Sequence, residues 1–171
     1  IWKELGPESA KIFLGQTQKV VNSWLLQRGF SIGICDNIPD EETKKDVKLV
    51  LDKAFLEVEK QITAFRNGST QIEPGFTMQQ SFEINVNKTL NDARKKAGDN
   101  ANKRIDHRNS IKCTVDSGSK GNAINISQIL ACVGQQNVEG KRIPFGFVNR
   151  TLPHFAQYDE GHLSRGFVVH S

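Results

Sequence analysis

The chain has 171 residues, of which 37% are hydrophobic and 25% are charged, and its formal net charge is +4. These values exclude a disordered, collagen-like or disulfide-stapled protein. No apolar run approaches the roughly 18 residues that a membrane-spanning helix needs. Because the chain starts with Ile and its only Met is Met78, we expect it to be a piece of a longer protein.

The first predicted element is a helix over residues 7–28. Pro7 suits the first helical turn, and Gly29 suits the position after the last turn. The spacing of its larger side chains predicts one apolar face. That face consists of Phe13, Thr17, Val20, Val21, Trp24 and Leu25.

Two long amphipathic helices are predicted next. Residues 41–66 carry an apolar stripe that repeats every three or four residues, and Asp40 is a suitable N-cap. Residues 77–97 repeat in the same way, and Gly98 is predicted to end this helix. Because a modest loop joins the two helices, we expect them to pack as an antiparallel hairpin. The predicted stripe contains Val47, Val50, Leu51, Ala54, Phe55, Val58, Ile62 and Phe65 in the first helix, and Met78, Phe82, Val86, Leu90, Ala93 and Ala97 in the second.

The rest of the chain is predicted to be less regular. Residues 99–110 are polar with one short helix, and residues 117–122 form a glycine-rich loop. Residues 124–133 are an apolar run for which a buried helix is favoured over a strand. Glycines and prolines in residues 134–171 predict loops and short strands. The fold class is therefore mainly α (α+β), with a long antiparallel helical hairpin, a buried short helix and an irregular C-terminal segment.

The glycine-rich loop is one candidate site. It places Ser119 and Lys120 before a helix, where backbone amides, the helix N-terminus and a lysine could all attract phosphate. The spacing does not match a Walker A loop, and the pattern alone favours an ordinary turn with an exposed lysine. Gln135, Gln136 and Asn137 are a second candidate, since neighbouring amides can bind a polar ligand or simply cap the preceding helix.

The C-terminal segment mixes cations with aromatic rings, as RNA-binding proteins do. A core of phenylalanines with surface or ion-paired cations is the favoured alternative. The cations are Lys141, Arg142, Arg150 and Arg165, and the rings between them are Phe145, Phe147, Phe155 and Phe167.

The sequence shows no metal-binding or catalytic pattern. Cys35, Cys113 and Cys132 are far apart and form no CxxC pair, which argues against a zinc site or a disulfide framework. The sequence also lacks the acidic cluster of a simple two-metal phosphoryl-transfer site. We therefore assign no catalytic residue and no metal ligand to this chain.

Several dense runs resemble the largest subunit of eukaryotic DNA-directed RNA polymerase II. The strongest are residues 133–147, Val-Gly-Gln-Gln-Asn-Val-Glu-Gly-Lys-Arg-Ile-Pro-Phe-Gly-Phe, and residues 150–155, Arg-Thr-Leu-Pro-His-Phe. These two runs favour polymerase II over polymerases I and III. The resemblance covers about residues 11–171. The other matching runs are 20–26, 29–34, 81–83, 90–94, 118–121, 124–128 and 164–168.

The resemblance implies that residues 1–38 end the pore region, residues 39–98 form the funnel hairpin and residues 99–171 complete the funnel. In this family the funnel lines the secondary channel, where NTPs enter, backtracked RNA is extruded and a transcript-cleavage elongation factor inserts. The parent is a nuclear nucleotidyltransferase that works with other polymerase subunits on template DNA, without a membrane. Its magnesium-binding aspartates are expected outside this chain, and the magnesium and zinc of the family are expected in the parent subunit.

The resemblance also implies two groups of site residues. Lys120 and Ser119 are expected near RNA or NTP in the channel. The second group matches the site of amatoxin, a cyclic peptide inhibitor of this family. Its members here are Ile124, Ser127, Gln128, Cys132, Val133, Gln135, Gln136, Asn137 and Gly140.

An alternative from a different class is a free-standing helical-hairpin module that binds a protein partner and no nucleotide. The parent reading frame would separate the two hypotheses. An upstream motif of the Asp-Phe-Asp-Gly-Asp type supports the polymerase, whereas a start codon just before Ile1 supports the module.

Overall fold

A computed structural model describes residues 1–170 of the chain and is mainly helical. This confirms the predicted fold class. The chain forms two compact units, Ile1–Gly33 and the residues from Ile34 onward. None of the described helices is both long and apolar enough to cross a bilayer.

The first unit is a single helix, α1, at Trp2–Arg28. Its backbone leaves the helical region at Gly6, where φ is 82° and ψ is 173°. The regular part therefore begins at Pro7, as predicted. No residue of α1 is buried, and Trp24 on the predicted apolar face is 55% exposed. That face accordingly has no covering partner within its own unit.

The second unit opens with a short 3-10 helix, Ile34–Asn37, followed by α2 at Glu41–Arg66 and α3 at Met78–Arg104. The side chain of Asp40 accepts a hydrogen bond from the backbone of Thr43, and α3 begins with a complete capping box. These caps fix where both helices begin.

The two helices form the predicted antiparallel hairpin. Contacts between them pair late residues of α2 with early residues of α3. The rings of Phe65 and Phe82 stack with centroids 4.4 Å apart, and Gln61 Nε2 donates to Thr89 Oγ1 at 3.0 Å. The stripe is buried at Val47, Leu51 and Val58 on α2, and at Phe82, Val86, Leu90, Ala93 and Ala97 on α3.

Phe55 differs from the rest of the predicted stripe because its ring is only partly buried. It stacks on His162 with the two ring centroids 3.7 Å apart, and it meets Phe167 edge to face. Phe55 therefore packs between the hairpin and the C-terminal segment.

The predicted end of α3 at Gly98 is also wrong, because the helix continues to Arg104. Gly98 is buried where another helix approaches, and a Cβ there would lie 2.4 Å from Ser127 Oγ. The glycine thus permits close helix packing. The added turns bring Arg104 within 3.0 Å of Glu42 and 2.8 Å of Asp46.

Two short helices follow, α4 at Ser110–Asp116 and α5 at Ala123–Leu130. The second ends earlier than the predicted helix over 124–133, because the chain turns into a strand after Cys132. A second apolar cluster joins these helices to the end of α3. Its buried members are Ala101, Ile111, Ile126 and Leu130.

The C-terminal segment contains loops and four two-residue strands, as predicted. Strand β1, Gly134–Gln135, pairs antiparallel with β4, Phe167–Val168. Strand β2, Asn137–Val138, pairs antiparallel with β3, Lys141–Arg142. Because so few backbone pairs hold these strands, side chains must fix most of this segment.

Candidate functional site

The glycine-rich loop connects α4 to α5 and folds back on the end of α4. Gly118 and Gly121 both have positive φ, at 70° and 76°. Ser119 Oγ donates to the carbonyl of Thr114 at 3.0 Å. Lys120 is exposed and forms no ion pair with any residue of the described chain. The loop therefore uses the Ser119 hydroxyl internally and leaves the Lys120 ammonium available to an anion.

Helix α5 presents its predicted site residues in different environments. Ile124 is 52% exposed, whereas Gln128 is partly buried. Ser127 Oγ donates to the carbonyl of Ala123 and accepts from Asn102 Nδ2 at 3.0 Å. Ser127 therefore fastens α5 to α3, while Ile124 remains accessible.

Cys132 and its neighbours lie against the middle of α3. Cys132 is buried, and this burial raises the pKa of its thiol. Gly134 has a φ of 93°, and a Cβ there would lie 2.3 Å from Arg94 Cδ. The Arg94 side chain therefore lies directly against the Gly134 backbone, where only glycine fits.

The amide group of Gln135 is held on one side only. Its Nε2 donates to the carbonyls of Arg165 and Gln136, both at 2.8 Å. Its Oε1 is buried and accepts no hydrogen bond from the described residues. Such an oxygen is costly to leave unpaired, and its burial keeps it out of reach of a ligand in this structure.

The predicted amatoxin-type residues form a band along α3 and do not gather in one pocket. Asn137 contacts Asn87, and Ser127 contacts Asn102. Between them Gly134, which separates the predicted Val133 and Gln135, lies against Arg94. These contact points on α3 span about 20 Å at roughly 1.5 Å per residue. The structure thus brings the residues onto one surface, with the glycine-rich loop beyond its far end.

The sequence analysis missed a cluster of four charged side chains that we call the arginine–glutamate cluster: Glu83, Arg142, Glu160 and Arg165. Arg142 Nε lies 2.8 Å from Glu83 Oε2, and its Nη2 lies 3.4 Å from Glu160 Oε2. Arg165 Nη2 lies 3.1 Å from Glu83 Oε1, and Arg165 also pairs with Glu160. The side chain of Arg142 is 0% exposed. Each guanidinium therefore contacts both carboxylates, which are themselves partly buried.

The RNA-binding interpretation of the C-terminal cations is wrong for Arg142 and Arg165, because both are committed to this cluster. The alternative of ion-paired cations is right. The expected phenylalanine core is confirmed only at Phe167, since Phe147 is 50% exposed. Burial raises the pKa of Glu160, and the two guanidinium groups oppose that shift. The signal for the cluster was Glu83, a carboxylate directly beside the buried Phe82.

A groove of about 700 Å³ opens beside the cluster, between the first half of α3 and the β2–β3 hairpin. Ile84 and Val138 contribute apolar surface, and Asn87 and Gly140 line the same space. One predicted site residue, Gly140, therefore shares this groove with three members of the cluster, Glu83, Arg142 and Arg165. Within residues 1–170, no group of three or more His, Cys, Asp or Glu side chains could hold a metal ion.

One comparison with known proteins identifies the family. The family model for RNA polymerase Rpb1, domain 4, matches residues 62–168. The match covers more than half of the chain and runs from the last turns of α2 through β4. It therefore includes most of the hairpin, the glycine-rich loop, the band along α3 and all four members of the arginine–glutamate cluster.

Proposed function

The chain belongs to the RNA polymerase Rpb1 domain 4 family, and on that premise we propose that it forms the funnel of a eukaryotic RNA polymerase II. The family is part of the largest subunit of DNA-directed RNA polymerase. Nucleotidyl transfer is the activity of the assembled enzyme, and other polymerase subunits are partners of this chain. The family match supports the polymerase over a free-standing hairpin module.

The proposal rests mainly on one observation, which is the band of exposed polar groups along α3. It includes Gln136 and the amide of Asn137, both of which are exposed. The hairpin that carries the band presents a mostly polar outer surface. A channel wall for polar molecules needs both features, which are a stiff support and groups that can form hydrogen bonds.

Lys120 and Ser119 are the proposed contacts to RNA or NTP. A flexible ammonium attracts a moving phosphate without imposing one geometry. Ser119 keeps the loop folded through its bond to Thr114, so its contribution is to hold Lys120 in place. We assign no bond-making step to either residue.

Catalysis is proposed to lie outside this chain. As the resemblance to the largest subunit implies, we place magnesium and zinc in other parts of the parent subunit. Template DNA, RNA, NTPs and a transcript-cleavage elongation factor are the proposed partners, and the nucleus is the proposed location. The proposed domain limits are 1–38 for the end of the pore, 39–98 for the hairpin and 99–171 for the rest of the funnel.

The amatoxin-type residues allow the proposal to be tested with an inhibitor. Exposed Ile124, exposed Gln136 and the groove beside Gly140 offer apolar and hydrogen-bonding surface to a polar cyclic peptide. We expect the parent polymerase to be sensitive to amatoxin, with a strength that depends on Asn137. Full resistance in a transcription assay would remove this site from the proposal.

The direct test is Lys120→Ala in the assembled polymerase. We expect several-fold changes in backtracking or transcript cleavage and little change in promoter binding. Lys60→Ala is the matched control, because Lys60 is an exposed lysine that pairs only with Glu57 on α2. Unchanged pausing and cleavage in a fully assembled enzyme would contradict the channel assignment.

A further inference from the structure

Arg94, in the middle of α3, is a partly buried arginine whose guanidinium donates to no acceptor among residues 1–170. The other arginines that are buried or partly buried all have one. Arg142 and Arg165 contact the carboxylates of the arginine–glutamate cluster, and Arg150 Nη1 donates to the carbonyl of Phe155 at 3.3 Å. Because it is costly to remove a charge from water without pairing it, an acceptor supplied from outside these residues would stabilise Arg94.

The neighbouring turns of α3 offer Arg94 no carboxylate. Residues three or four positions away share its face of the helix. These residues are Leu90, Asn91, Ala97 and Gly98, and none of them is acidic. An acceptor for Arg94 must therefore come from a different element.

The stem of the Arg94 side chain is held in place by strand β1. A Cβ at Gly134 would lie 2.3 Å from Arg94 Cδ and 3.0 Å from Arg94 Cγ, so the stem lies along the strand backbone. The positive charge of Arg94 reaches the buried thiol of Cys132, where it opposes the rise in pKa that burial causes. A side chain that is already held loses little further freedom when it meets a partner.

The outer end of the Arg94 side chain can be reached from solvent. Of its three guanidinium nitrogens, only Nε is buried without a partner. Since Arg94 as a whole is only partly buried, Nη1 and Nη2 remain accessible. These two atoms can donate two parallel hydrogen bonds to the oxygens of one carboxylate, and the contact neutralises the charge that all three nitrogens share.

We propose that Arg94 is an interface residue: its Nη1 and Nη2 receive the carboxylate of an Asp or Glu side chain on a neighbouring element of the assembled polymerase, outside residues 1–171. The family already makes other polymerase subunits partners of this chain, and arginine is enriched at such interfaces. A protein carboxylate pairs the partly desolvated charge in every state of the enzyme, whereas a phosphate would do so only while RNA or NTP is bound. The inference does not depend on the channel assignment.

The test is carbodiimide crosslinking of the assembled polymerase that carries Arg94→Lys. Lysine keeps the stem and the charge, and it supplies a primary amine. The carbodiimide couples that amine to an adjacent carboxyl group as an amide and takes up the released water as a urea, and mass spectrometry identifies the joined peptides. We expect position 94 to be joined to an Asp or Glu outside residues 1–171. Because a held amine reacts faster than a mobile one, the yield should be about five-fold above that of the control.

Arg66→Lys is the matched control, since Arg66 is exposed in the last turn of α2 and forms no ion pair with the described residues. Two results would overturn the inference. In one, position 94 couples to no carboxyl group. In the other, it couples only to a carboxyl group within residues 1–171.

The phosphate alternative is tested by comparing polymerase without nucleic acid to a backtracked complex. Equal crosslink yields in the two samples support a permanent protein contact. If no protein carboxylate is joined and RNA alone protects the new amine from an amine-reactive label, Arg94 is assigned to phosphate and the inference is overturned.

A second variant, Arg94→Met, keeps the stem and removes the charge, so it does not depend on the reach of a lysine. Hydrogen exchange in the partner peptide of the assembled enzyme should become about three-fold faster, while amides of the hairpin stay within about two-fold. Unchanged exchange in every segment outside residues 1–171 would contradict the interface. Lys120→Ala tests the channel assignment separately, because a silent Lys120→Ala leaves the Arg94 crosslink intact.

Discussion

The α2–α3 hairpin and the C-terminal segment, residues 131–170, are held together in opposite ways. The hairpin buries an apolar stripe along two helices of 26 and 27 residues. The segment has only two-residue strands, and its most deeply buried large side chain is Arg142. A periodic sequence can specify the first kind of packing by itself. The second kind needs particular partners from distant parts of the chain.

Removing Arg142 should be the most damaging change. Arg142→Ala removes a fully buried side chain and leaves the partly buried Glu83 and Glu160 without one of their two cations, which we expect to cost about 3 kcal/mol. The loss should fall on the C-terminal segment first. Thermal unfolding would give the total, and hydrogen exchange would show whether hairpin amides keep their protection. Equal loss of protection in both regions would mean that the two regions are not held separately.

Truncating the shared ring should come next. Phe55→Ala removes the stack on His162 and the edge contact with Phe167. Because the ring is only partly buried, we expect about 2–3 kcal/mol, below the roughly 3–5 kcal/mol of a fully buried phenylalanine. Cleavage-factor binding by the whole enzyme should weaken indirectly. Leu90→Ala, at a position that is 0% exposed, is the comparison for loss inside the hairpin alone.

Acidification should act on the junction between the two regions. Burial lowers the pKa of His162 below the ordinary histidine value of 6.5. The positive charge of Arg142 adds to this shift, whereas the negative charges of Glu59 and Asp159 oppose it. A base with a lowered folded pKa favours the neutral form in the folded state. Stability should therefore be constant above about pH 6.5 and fall as the pH drops below it.

The control for this pH effect is His162→Gln, which should reduce the loss of stability below about pH 6.5. Burial raises the pKa of Glu160, so what this carboxyl contributes to the free energy of unfolding is lost as the pH rises above its ordinary value of 4.5. Both forms of the protein contain Glu160, and subtracting the two pH profiles isolates His162. Parallel profiles for both forms would exclude His162 as the titrating group.

The smallest effect should come from the outer face of the hairpin. Lys48 is exposed on α2 and forms no ion pair in the described chain. Lys48→Ala should change the free energy of unfolding by less than about 0.5 kcal/mol. Equal losses for Lys48→Ala and Phe55→Ala in thermal unfolding would contradict the assignment of inner and outer faces.

The contrast between the hairpin and the C-terminal segment also explains which parts of the fold could be predicted from the sequence. The stripe from Val47 to Phe65 predicted α2, and its partner predicted most of α3, because a helix repeats its inward positions every three or four residues. The end of α3 was missed because Gly98 has two uses in helices, as a stop and as a close-packing position. Only Ser127, which is 29 residues further on, distinguishes them.

The sequence predicted which chemical groups belong to the candidate site, but it did not predict how they are arranged in space. Lys120 was predicted to be exposed, and the amides of Gln135 and Gln136 were recognised as a polar group. The pairing of Glu83 with Arg142 spans 59 residues, and no local pattern encodes a contact of that range. The sequence therefore identified the groups that could meet a ligand and missed those that hold them.

Helix α3 also sets the spacing between the segments that pack on it. Glu83, Asn87 and Arg94 each meet a different later segment, Gly98 and Asn102 both meet α5, and the five positions are spaced by four or seven residues. Deleting one residue between Asn87 and Gly98 would rotate the positions on one side of the deletion by about 100° and move them by about 1.5 Å relative to the other side. The partners on the two sides could then no longer all meet their side chains. Natural length variation should accordingly be confined to the loops on either side of α3, because even a change of seven residues, which nearly restores the original face, would move the contacts by roughly 10 Å.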